Sequence, residues 1–130
     1  MALLSGCGRG GVVVDSQKAR AFSDSFMDGV VHDRRDAMYS KMEPEFHGLT
    51  SRQQFDDSLN TLYERVGKPL KFEQVSDGPG VRVLYNGQPK PTHEVIYSVT
   101  TTKGTYPLKV RVVNNGDALA VTLFTFNLSG

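Results

Sequence analysis

The chain has almost nothing with which to cross-link itself. One cysteine, Cys7, stands in 130 residues, so no internal disulfide can form and pairing says nothing of the redox compartment. No apolar run approaches the ~20 residues that a membrane-crossing helix needs. Charge of one sign is lacking too: 15 Lys and Arg stand against 14 Asp and Glu, for a net charge of +1, with the signs mixed along the chain. Without a basic stretch, nucleic acid is not an implied partner. No internal repeat is visible. What remains is an apolar fraction of 38% and a length that suits one domain whose core requires neither disulfides nor metal.

The clearest pattern lies in the C-terminal third. Over residues 92–101, His93, Val95, Tyr97 and Val99 alternate with Glu94, Ser98 and Thr100, and only Ile96 breaks the polar set. Over 105–113, Tyr106, Leu108, Val110 and Val112 alternate with Lys109 and Arg111. Such alternation puts each set on one face of a strand. Gly104 suits the first connecting turn, and Asn115-Gly116 within 114–117 is a strong hairpin signal. The last strand, 119–128, is apolar on both faces: Leu119, Val121 and Leu123 on one, Ala120, Phe124, Phe126 and Leu128 on the other. A two-faced strand is ordinarily covered twice. Either a second copy of the chain covers it, with Phe124 and Phe126 as the dimer face, or a bulge near Leu123 swaps the phase.

The first half reads as three helices. Asp15 or Ser16 caps the first, and Ala19, Phe22, Phe26 and Val30 form its stripe. Asp28 and His32 form an exposed pair on the opposite face. Residues 32–36 are a polar bend. Ala37, Met38, Tyr39 and Met42 mark a short second helix that Pro44 ends, after which Phe46 and Leu49 plug the core from a loop. Ser51 with Gln54 is a capping box. It opens a third helix through Val66, with Phe55, Leu59, Leu62 and Val66 on one face and Gly67 as its stop. Tyr63 lies beside that stripe, with its hydroxyl either wet or directed into a cavity.

Between the halves, Leu70, Phe72 and Gln74 read as a strand, 76–80 as a turn, and Val81, Val83 and Tyr85 as a short strand before a loop through Pro91. The glycines at 78 and 80 are wrongly spaced for a phosphate loop. Glu43, Glu45 and His47 match no zinc spacing, so no metal or cofactor is expected. His93, in phase with Val95 and Tyr97, is the one titratable ring on the inward face. It reads as a partly exposed strand-end histidine, with a general base as the alternative.

Two resemblances add to this. Leu4-Ser5-Gly6-Cys7 resembles a bacterial lipobox. That implies lipid attachment at Cys7, a cell-envelope location, membrane contact only through the lipid, and Met1–Gly6 as the remnant of a truncated leader. The alternative is a frayed tail. The glycines at 8, 10 and 11 suit a flexible tether, so residues 1–14 read as leader and tether and 15–130 as a single α+β domain. In lipoproteins of that kind, Gly8 after the cysteine points toward the outer membrane.

The order of helices then antiparallel strands, with Phe26-Met27-Asp28-Gly29-Val30-Val31, Ala37-Met38-Tyr39, Pro44-Glu45-Phe46, 50–55 and Gly67, resembles small bacterial members of the cystatin-like, or nuclear-transport-factor-two-like, cone fold. This resemblance implies three helices on a curved antiparallel sheet of four to five strands. Some relatives of that fold are isomerases or dehydratases. The inward faces here are nearly all apolar, so the expectation is a non-catalytic envelope domain that makes protein contacts or a homodimer through the sheet. A small apolar ligand held near Phe26, Tyr63, His93 and Tyr97 is the alternative.

Overall fold

The computed structural model describes residues 13–85 and 87–128; Cys7 and the expected tether lie outside them. The architecture is α+β. Helices α1 (Ser16–Val31), α2 (Arg35–Lys41), α3 (Pro44–Leu49) and α4 (Arg52–Val66) precede β1 (Pro69–Pro79), β2 (Val83–Tyr85), β3 (Gln88–Lys90), β4 (Thr92–Thr101), β5 (Thr105–Asn115) and β6 (Ala118–Phe126). Four strands form one antiparallel sheet in the order β1-β4-β5-β6, and β2 and β3 form a separate hairpin.

Local chemistry sets the helix boundaries. Asp15 caps α1 by accepting from the Lys18 N–H, and Ser51 and Gln54 make the reciprocal capping box at α4; such caps are worth about 1 kcal/mol each. Gly67 ends α4 at φ +92°, where a Cβ would lie 2.7 Å from the Lys103 nitrogen, so both the backbone angle and the space call for glycine. The segment 44–49, expected as a loop, is a helix with Pro44 in its first turn; the fixed φ of proline suits that position. Phe46 packs on the core as expected, but Leu49 is 79% exposed and plugs nothing.

The core lies between the helices and one sheet face. Phe26, Met27 and Val30 of α1, Met38 of α2 and Phe55, Leu59 and Val66 of α4 meet Val95, Tyr97 and Val99 of β4 and Leu108, Val110 and Val112 of β5. The opposite face carries Glu94, which pairs with Arg111 at 2.8 Å and Lys109 at 3.8 Å. An apolar spot on it, Val113 with Ala120, is covered by Val83 of the β2–β3 hairpin. Residues 87–91 are thus not simply a loop, since β3 and Pro89 sit in that hairpin, and 76–79 extend β1 rather than turn.

The two-faced last strand is resolved by a bulge. Val112 pairs with Val121 and Arg111 with Leu123, leaving Thr122 as the extra residue. The inserted residue reverses the phase, so Leu119 and Val121 before it and Phe124 and Phe126 after it all pack on the helix-covered side. Phe124 meets Phe26 at 5.1 Å, and Phe126 meets Tyr106 at 6.2 Å. The two rings expected as an outward dimer face therefore belong to the domain's own core.

Candidate functional site

An apolar cavity of about 280 Å³, partly open to solvent, lies where α3 and α4 meet β6. Three features of the sequence create it. Pro44 starts α3 and brings Phe46 over the core. The α4 stripe contributes Phe55, Leu59 and Leu62. The β6 bulge turns Phe124 inward beside Leu123. Met42 completes the floor: its backbone bridges Val121 in parallel, and the Glu43 N–H donates to the Val121 carbonyl at 2.9 Å.

The walls are rigid aromatic groups. Phe46 and Phe55 meet edge to face at 5.9 Å, and Tyr39 tilts against Phe55 at 5.4 Å. Tyr39 is itself fixed, since its hydroxyl donates to the Thr50 carbonyl at 2.6 Å and the His47 ring stacks on it at 4.4 Å. The only polar side chains in the lining are those of Thr50 and Ser58, and none there is titratable. An enclosure of this kind can hold an apolar body; it offers no acid, base or nucleophile with a shifted pKa to act on one.

The titratable groups gather elsewhere, along the seam where α1 crosses β1 and β4. Tyr97, fully buried, donates its hydroxyl to Asp24 Oδ1 at 2.7 Å, and Gln74 Nε2 donates to the same oxygen at 3.0 Å. Burial first, and then the Asp24 carboxylate, push the Tyr97 phenol far above its ordinary value. One step along the strands, His93 Nε2 lies 2.6 Å from Asp77 Oδ2, which also takes Arg20 Nη1 at 3.3 Å. The hydrogen bond to His93, more than the Arg20 charge, holds the Asp77 carboxyl below its ordinary range.

His93 is therefore not the partly exposed strand-end residue expected. It is 7% exposed and engaged. The arrangement ties helix to sheet: each carboxylate is spent on two donors from other elements. Near α4, the Tyr63 hydroxyl is buried with no hydrogen-bond partner, not wet. Its pKa is pushed up to about 12 by burial, with Asp33 adding and Arg35 opposing; the Arg35 guanidinium sits 5.8 Å from the ring centroid.

The four residues expected around a ligand are thus not brought together at one cavity. Phe26 reaches the cavity's edge only through Phe124; Tyr97 and His93 belong to the polar seam and Tyr63 to the α4 flank. Asp28 and His32 form an exposed pair at 3.3 Å. Among the described residues no group of three His, Cys, Asp or Glu side chains could hold a metal, and no helix is long and apolar enough to cross a membrane. The residues that line the cavity were legible as core but not as a site. The usable signal was Pro44 as a helix start, which would have placed Phe46 opposite Phe55.

Fold and cavity together define a small α+β domain of helices on one face of an antiparallel sheet, with an apolar recess at the α3–α4 end. No family model, no curated protein and no solved structure matches the chain.

Proposed function

We propose that this chain is a non-catalytic binding module that receives a small apolar group in the cavity between α3, α4 and β6. The observation that carries this reading is the cavity's chemistry: about 280 Å³, aromatic walls and no titratable side chain in the lining. Its size lies just below the range of about 300–1,000 Å³ usual for drug-sized ligands, which suits a smaller molecule. The enzyme reading finds less support, because the buried histidine and both half-buried carboxylates of the seam are already engaged with protein partners. The dimer through the sheet also loses its first motivation, since Phe124 and Phe126 pack inward and the opposite face carries charged pairs and its own hairpin cover.

The cone-fold resemblance is retained as a reading of the element order. The envelope address is retained as a reading of Leu4-Ser5-Gly6-Cys7. Native mass spectrometry of the full chain tests the function, because it reads stoichiometry and retained molecules together. The expected result is a protomer that carries or takes up an apolar molecule one to one, and loses it when Ser58→Phe fills the mouth. A bare dimer that takes up nothing would instead favour protein contact.

A further inference from the structure

The lining of the cavity narrows what it can hold. Phe46, Phe55 and Phe124 stand around it. The first two are perpendicular at 86°, and the third is set by Phe26 at 64°. Rings held in this way offer both faces and edges, the contacts that a further aromatic ring prefers. No Asp, Glu, Lys, Arg or His lines the space. A charged group placed there would lose its water and gain no partner.

Size sets the second limit. A dry cavity of roughly 150 Å³ lined by such side chains accepts one benzene ring. About 280 Å³ therefore accepts a substituted ring or a fused pair, and a long acyl chain exceeds it. Polarity sets the third. Thr50 and Ser58 are the polar residues of the lining, the first half-buried and the second exposed, and neither hydroxyl donates to or accepts from another described side chain or carbonyl. The Thr50 carbonyl is already taken by Tyr39. Two free hydroxyls beside an apolar recess favour a ligand that brings one group to pair with them.

From these limits we propose that the cavity selects a compact, uncharged, ring-bearing molecule with a single hydrogen-bonding group, which meets Ser58. This rests on the cavity's being a binding site at all. The ligand enters ring first between Phe46 and Phe124, and its polar group stays at the mouth near Ser58.

The test is an NMR titration of the full chain with three probes: indole, 1-octanol, which has the same number of non-hydrogen atoms but no ring, and indole-3-acetate, which adds a charge. Indole is expected to shift the Leu59, Leu62 and Phe124 signals saturably. Ser58→Ala is expected to weaken indole about five-fold, the size of one ordinary hydrogen bond. Indole-3-acetate is expected to bind at least about ten-fold more weakly than indole. If 1-octanol or indole-3-acetate binds as tightly as indole, or Ser58→Ala leaves indole unchanged, the ligand class is wrong while the cavity remains a binding site. If no probe moves the cavity signals in the wild type, the binding reading falls with it.

Discussion

His93 shows how far a single residue can depart from what its position in the sequence suggests. It is the second residue of β4, two after Pro91, where a partly exposed ring is the ordinary outcome, yet it is 7% exposed and bonded to Asp77. Its partner lies 16 residues earlier and a third member, Arg20, lies on α1. No spacing in the sequence links the three, because only the β1–β4 register and the packing of α1 bring them together. His93→Ala is expected to cost about 1–3 kcal/mol at neutral pH, because it leaves Asp77 half-buried with one donor fewer. Asp77→Asn tests the pH dependence. A carboxylate whose folded pKa is lowered stabilises the fold fully above its unfolded value, here 3.8, and loses that contribution as the pH falls through the lower folded value. In denaturant titrations the gap between wild type and Asp77→Asn is therefore expected to be constant near neutrality and to shrink below about pH 4. A gap that stays flat to acid pH would show that the Asp77 charge contributes nothing.

At the scale of elements, the sheet was legible and its last strand only as an alternative. The strands at 92–101 and 105–113 alternate cleanly because one face is buried and the other carries Glu94, Lys109 and Arg111. In β6 the alternation changes phase, and two physical causes produce the same string: cover on both faces, or one inserted residue. Thr122 is the inserted residue, and neither glycine nor proline marks it. The short α3 was missed for a different reason. A proline disfavours helix in the residue before it and so marks the end of α2, yet it equally suits the start of the next helix. The bulge makes a sharp prediction. Deleting Thr122 restores simple alternation and turns Phe124 and Phe126 to the charged face, at a cost of at least about 3 kcal/mol for each ring withdrawn from the core. The deletion variant is expected to lose cooperative thermal unfolding by circular dichroism. Thr122→Val, which keeps the backbone and removes a buried hydroxyl without a partner, is expected to stay within about 1 kcal/mol of wild type. Equal behaviour of the two variants would count against the bulge.

For the molecule as a whole, the question is whether its apolar surface is satisfied within one chain. The sheet has two edges, and both are blunted. On β1, register shifts fall at Leu70 and Val75, whose side chains turn out to solvent at 54% and 63% exposure; on β6, the Glu43 N–H already occupies the Val121 carbonyl. Interruptions of this kind oppose edge-to-edge pairing. The face away from the helices carries charged pairs, and its spot at Val113 and Ala120 is covered by Val83. Phe124 therefore separates the two accounts of this protein. If it is a core ring that also walls the cavity, Phe124→Ala removes its contact with Phe26 and costs about 3–5 kcal/mol, toward the lower end because the site is already partly open. The mass of the particle in solution, read by light scattering, is then the same for variant and wild type, while apolar probes bind more weakly. If Phe124 instead served a dimer, the variant would halve that mass and unfold at nearly the wild-type temperature. The inward placement set by the Thr122 bulge predicts the first outcome, since a ring already packed on α1 has little surface left to offer a partner.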